Sequence, residues 1–353
     1  MALGNVFITD TDGRLPSATS TSNEKITGLL FDVSKQPELF TAGYGKSNES
    51  KLKLGDVCYI TSRAQAIKDY GIIERVECDE GDEATKNFMF GIPNYHISEF
   101  FRMSGNIDGY GKLYVMFADC SSNWDAIEIM QRASGGTISQ LGIWTEQPLW
   151  KKSEETYLLN IVKTINDKAE LLATQNQPLS LVLSASCANT GTDDSDGKKV
   201  DLNKIPTCIC DSSRTSVIIG QARNELISTM QMRNKNCTPV GFLGSVMGCI
   251  AKANVQESIA WVQQFNLFGD NFQDIELGFG DLNLNDNEKF TSLNAYESLS
   301  PVMLDDLDDK GISSLSSMPE RKMAFTFQKT ALVLTGTSGQ SPETGLSTSH
   351  AGL

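Results

Sequence analysis

Two rhythms of apolar positions alternate along the chain. Short apolar runs bounded by turn-forming residues occur at "ITGLLFDV" (26–33), "LGDVCYI" (54–60), "KLYVMFA" (112–118), "TISQLGIWT" (137–145), "LSLVLSAS" (179–186) and "TSVIIGQ" (215–221). Runs of this kind predict strands buried on both faces. Between them, apolar residues recur at steps of three and four, the spacing of one helix face. The clearest case is "SEETYLLNIVKTINDKAELLATQ" (153–175), with Leu158, Ile161, Ile165, Ala169 and Leu172 in register. Strand, helix, strand, helix, strand is the order of an α/β fold with crossover helices and a mixed or largely parallel sheet.

Helix boundaries carry their own signals. Ser62 followed by Gln65 is a capping-box spacing, and Gly71 supplies a left-handed stop after Ala64, Ile67 and Tyr70. "NWDAIEIMQRAS" (123–134) predicts a helix capped by Asn123 and ended by Gly135 and Gly136. In "TPVGFLGSVMGCIAKANV" (238–255), Thr238 reads as N-cap and Pro239 as the first helical residue. Gly241, Gly244, Gly248 and Ala251 then follow three, four and three apart, a row that lets another element approach closely. A phosphate loop is the competing reading; it would need G-K-[ST] or a G-x-G-x-x-G turn after a strand, and neither stands here. At the N-terminus "GNVFITD" (4–10) reads as a short strand, followed by the polar lead "GRLPSATSTSNEK". Such a strand suits addition to a neighbour's sheet, and equally pairing within its own domain.

Composition narrows the function. With 353 residues the chain can form two or three compact units. A net charge of −14 argues against nucleic-acid binding, which needs clustered Lys and Arg on phosphates. No apolar stretch is long enough to span a bilayer, and "MALGNVFITD" has neither the basic nor the apolar segment of a secretion signal, so no membrane insertion and a cytoplasmic origin are expected. The eight cysteines, 58, 78, 120, 187, 208, 210, 237 and 249, mostly sit inside apolar patterns and read as small buried hydrophobes. Cys208 and Cys210 form C-x-C rather than the C-x-x-C of zinc and redox sites.

Chemistry-bearing constellations are few. His96 and His350 are the only histidines, too few for a histidine triad or a multi-histidine metal site. "DDSDG" in the loop 189–199 and "DLNLNDNE" (281–288) look like parts of calcium loops but read as solvated turns, because neither has a Glu at the twelfth position. "GFGD" (278–281) reads as an ordinary turn, and Trp124, Trp144, Trp150 and Trp261 as core or interface anchors. No catalytic residue, cofactor or metal is expected. An α/β enzyme of unknown substrate stays as the alternative to a structural, self-assembling protein.

A resemblance favours assembly. "GDVCYITSRAQAIKDYGI" (55–72), "DAIEIMQRASGGTISQLGIWTE" (125–146), "PLSLVLSA" (178–185), "SVIIGQA" (216–222), "PVGFLGSVMGCIAKANVQESIAWV" (239–262) and "LDDLDDKG" (304–311) are, in order, similar to the sheath proteins of contractile phage tails, especially a sheath-like group of Bacteroidetes prophages. The similarity runs discontinuously through most of residues 1–311. It implies a non-enzymatic subunit of stacked, usually hexameric rings around a tail tube protein, located in the virion tail and in the host cytoplasm during assembly, with another structural component of the tail as the runner-up. Terminal strands of such proteins join sheets of neighbouring copies; by position, Val6, Phe7, Ile8, Thr9 and Asp10 would be the N-terminal donor, and the Gly-lined helix at 238–251 would belong to the rigid body. The expected organisation is an arm at 1–25, an α+β region at 26–110 and a sheath-like α/β body at 111–311.

Residues 312–353 depart from the pattern. One third of them are Ser or Thr, none is Asp, and the charge changes sign: 27 Lys and Arg face 42 Asp and Glu through Gly311, and 3 face 2 after it. A disordered Ser/Thr-rich tail fits that composition. A change of reading frame near Gly311 is the reading preferred here, since adjacent-frame codons for this segment can encode sheath-like sequence. The nucleotide sequence decides: early stops in the adjacent frame would defeat it.

Overall fold

Strand β1, Thr27–Asp32, runs through the interior of a seven-stranded sheet with every residue buried. The computed structural model describes residues 26–34, 52–72, 82–105, 112–145, 157–184, 214–219, 221–223, 241–253, 257, 259, 264–265, 276–278, 306–313, 315–318 and 322–325. Its further strands are β2 (Val57–Ile60), β3 (Leu113–Ala118), β4 (Gln140–Thr145), β5 (Ser180–Ser184), β6 (Thr215–Ile218), β7 (Gln221–Arg223), β8 (Glu276–Gly278), β9 (Ile312–Ser313), β10 (Leu315–Met318) and β11 (Lys322–Phe325). The helices are α1 (Arg63–Lys68), α2 (Asp82–Ser104), α3 (Ala126–Ala133), α4 (Tyr157–Thr174) and α5 (Leu243–Lys252).

The large sheet has the order β2-β3-β1-β4-β5-β6-β9. All neighbours are parallel except β2, which lies antiparallel to β3 at one edge. Two small antiparallel pairs, β7 with β8 and β10 with β11, stand apart from it. This is an α/β fold. The strand-to-strand connections explain its apolar runs: a parallel sheet covered by helices has no wet face, so alternation is lost.

The two faces are told apart by side-chain direction. A Cβ on Gly28 of β1 would meet Leu141, Met130 of α3 and Ile138, whereas one on Gly142 of β4 would meet Met247 and Leu243 of α5 and Leu29. Thus Gly28, Leu30 and Asp32 point towards α3, and Leu29 and Phe31 towards α5, as strand alternation requires. Helix α4 joins α3 through Lys168, whose Nζ lies 2.6 Å from both Asp125 and Glu128. The α4 residues Leu158, Ile161, Ile165, Ala169 and Leu172 are all buried, the face read from their spacing.

Several boundaries differ from the sequence reading. Helix α5 starts at Leu243 with Phe242 as its N-cap, later than Pro239. Gly241 has φ +78°, a left-handed conformation that a helix cannot include, so it precedes the helix it was expected to line. Thr238 and Pro239 lie outside the described residues. Asn123 does not cap α3; its Oδ1 accepts from the N–H of Asp125, an Asx turn, and Asp125 takes the cap position without a side-chain bond to the helix N–H groups. By contrast Ser62 caps α1 by accepting from the Gln65 N–H at 3.2 Å. The return bond from Gln65 goes one residue earlier than a capping box places it, to the N–H and hydroxyl of Thr61.

Helix α2 is 23 residues long and contains Pro93. It was absent from the sequence reading. At its centre Asn94, 2% exposed, donates through Nδ2 to the Ile72 carbonyl at 2.8 Å, tying the helix to the stretch that leaves α1. The sheet also takes strands from both sides of residue 110, with β1 from 26–110 paired on both sides to strands of 111–145.

Candidate functional site

An open α/β sheet takes ligands at the carboxyl ends of its strands, where neighbouring connections diverge to opposite faces. Here β1 connects by way of β2 and α2 to β3 on one side, while β3 returns through α3 to β4 on the other. The divergence therefore falls between β1 and β4, whose last residues, Asp32 and Thr145, are paired in the register.

Asp32 is fully buried there. Its Oδ2 accepts from the Thr145 hydroxyl at 2.6 Å. Its Oδ1 accepts from the backbone N–H of Cys120 at 3.0 Å and of Ser34 at 3.1 Å. One carboxylate thus ties together the ends of β1, β3 and β4. Charge-assisted bonds of this kind are about twice as strong as neutral ones, and burial raises the cost of losing them. The arrangement is suited to holding strand ends in place.

The neighbouring thiol is not set up as a nucleophile. Burial, reinforced by the charges of Asp32 and Asp119, pushes Cys120 far above the ordinary thiol range. Cys58 and Cys249 are likewise pushed up to about 12, chiefly by burial. A nucleophilic cysteine needs the thiolate, which these surroundings oppose. All three are free thiols in the core; the other five cysteines lie outside the described residues. Among the described residues no three His, Cys, Asp or Glu side chains are placed to share a metal ion, and no helix is long and apolar enough to cross a membrane.

The Gly row of α5 meets a different partner. A Cβ on Gly244 would overlap the carbonyl oxygen of His96, and one on Gly248 would lie 2.6 Å from that of Phe100 and 2.8 Å from the Met103 Cβ. Positions 96, 100 and 103 form one ridge of α2, and 244 and 248 form the groove that receives it. Ala251 is buried further along α5. Where the backbones touch, the His96 Nδ1 accepts from the Gly244 N–H at 3.1 Å, and the Ser245 hydroxyl donates to Glu99 at 2.8 Å. Glu99 in turn holds Arg102 by two bonds, at 2.9 and 2.6 Å.

Of the residues singled out from sequence, Gly244, Gly248 and Ala251 sit together in α5, while Gly241 stands before it. Val6, Phe7, Ile8, Thr9 and Asp10 lie outside the described residues, as do the loops 189–199 and 281–288. Trp124 and Trp144 are buried in the core. Sequence reasoning missed Asp32 and the α2 partners of α5. The available signal for Asp32 was a carboxylate closing an apolar strand with Ser two residues on, an Asx-turn pattern. A scan against protein-family models finds no match, and neither does a comparison with curated proteins.

Proposed function

We propose that this chain is a structural subunit of the sheath of a contractile phage tail, or of a similar injection particle. The observation that carries the reading is positional. The six sheath-like segments fall in chain order on β2 with α1, on α3 with β4, on β5, on β6, on α5, and on the helical turn 306–309 that leads into β9. Most of them therefore belong to one sheet and its covering helices, which is where the rigid body of such a subunit would be built. The carboxylate that closes the divergence point between β1 and β4 is engaged by protein donors, which suits a mechanical body. In this reading copies of the chain assemble into rings, six subunits being the expectation, around a tail tube protein. Strand exchange links the copies, and contraction repacks bodies that stay rigid.

The test is negative-stain microscopy with sedimentation, on this chain and on a version whose reading frame is shifted after Gly311. The present chain should give monomers or small oligomers, and the frame-shifted version rings, tubes or helical polysheaths. A frame-shifted version that remains a monodisperse monomer at all concentrations would overturn the proposal. A tightly bound organic cofactor co-purifying with the chain would favour the α/β enzyme instead.

A further inference from the structure

His96 is fully buried in α2, and its Nδ1 accepts the backbone N–H of Gly244. A backbone N–H can only donate, so Nδ1 carries no proton and the neutral ring holds its proton on Nε2. Gly244 is the second residue of α5, where amide groups and the helix dipole present partial positive charge. The ring is packed as well as bonded. It stacks on Phe31 with centroids 6.0 Å apart and meets the edge of Tyr95 at 5.3 Å.

We propose that His96 is an acid-opened latch between α2 and α5. A proton added at Nδ1 ends the bond to Gly244 and turns the ring into a cation facing the positive end of α5. The His96 backbone lies against Gly244 with no room for a single methyl group, so the bond that is lost sits where the two helices come closest, and the ring that carries it is packed on Phe31 and Tyr95.

Among the described residues, the charged and titratable neighbours are engaged elsewhere or add positive charge. On α2, burial keeps the Tyr95 phenol far above its usual range and so neutral, with Glu99 adding to the effect. Glu99, one turn on, is already bound by Arg102 and Ser245. On α5, Cys249 stays a thiol and Lys252 is a further cation. On β1, Asp32 follows Phe31 and points to the opposite face, where Thr145 and Cys120 hold it. From β3 and β4 the rings of Phe117 and Trp144 pack around Phe31. The sign follows: the folded chain holds a neutral ring, and an unfolded chain takes up a proton near pH 6.5. Stability from the latch is therefore present above about pH 6.5 and is lost as the pH falls below it. The latch does not depend on the sheath reading.

The test compares unfolding of the whole chain with that of His96→Gln between pH 7.5 and 5. His350 is common to both chains and cancels. The ratio of unfolding constants, variant over unaltered chain, should fall by up to about tenfold per pH unit below about 6.5. A ratio constant across the range would overturn the latch. If the variant does not fold, nitrogen NMR of the unaltered chain decides: a bare Nδ1 at pH 7.5, with Gly244 amide protection falling on acidification, supports it. A protonated Nδ1 at pH 7.5, or protection unchanged at pH 5, overturns it.

Discussion

Asp32 shows how one residue can tie together the carboxyl ends of three neighbouring strands. Its donors at Cys120 and Thr145 are 88 and 113 positions away in the chain, so no local pattern could have announced them. Asp32→Ala leaves the Thr145 hydroxyl and two N–H groups without this acceptor, and we expect a loss of about 2–4 kcal/mol. Asp32→Asn keeps an oxygen for the N–H groups, and the hydroxyl can turn to accept, so about 1–2 kcal/mol is expected. Urea midpoints should rank the unaltered chain above Asn and Asn above Ala. An Ala variant within about 0.5 kcal/mol of the unaltered chain would show that the three strand ends do not rely on this carboxylate. The buried cysteines were easier: an apolar neighbourhood is a local property, and Cys58, Cys120 and Cys249 sit in the core as their flanking residues suggested.

At the scale of elements, legibility followed the continuity of the pattern. Helix α4 repeats its apolar residues without interruption and was plain in the sequence. Helix α2 was not, because Gly91 and Pro93 stand at its centre and both disfavour a helix interior. Packing overrides that preference: Ile92, Tyr95, His96, Ile97, Phe100 and Phe101 are all buried around the helix. Helix α5 is also apolar on all sides, each residue from Leu243 to Ala251 being buried. Its contact with α2 yields a prediction opposite in sign to helix propensity. Gly244→Ala should gain up to about 1 kcal/mol from propensity. The new methyl group would have to push away the His96 carbonyl, at a cost of about 1–3 kcal/mol or more. We expect a net loss, read as a lower urea midpoint and faster hydrogen exchange of the α2 amides. A raised midpoint would mean that the helices separate freely.

At the scale of the whole molecule, the sheet runs past the compositional break that follows Gly311. The shift to a Ser/Thr-rich segment begins after Gly311, whose φ of +87° ends the turn 306–309. Yet Ile312 and Ser313 complete the sheet, pairing with Val217 and Ile218 of β6, and both are buried. A compositional boundary is an average over many residues, whereas strand pairing needs only a few with the right neighbours. Ile312→Ala should therefore destabilise the entire body by about 2–5 kcal/mol, the range for truncating a buried isoleucine to alanine. Cooperative unfolding followed by circular dichroism and by tryptophan fluorescence should shift together. A change confined to one probe, or smaller than about 0.5 kcal/mol, would place β9 outside the cooperative unit.

The sequence by itself determined the class of fold, because buried strands and one-sided helices impose periods that are properties of neighbouring residues. It also determined the Ser62 cap and the closeness allowed by Gly244 and Gly248. Tertiary structure alone decided the strand order, the placing of β1 inside the sheet, the clamp at Asp32 and the meeting of His96 with α5. Each of these joins residues far apart in the chain, and their energies arise from contact and burial, which no stretch of sequence contains.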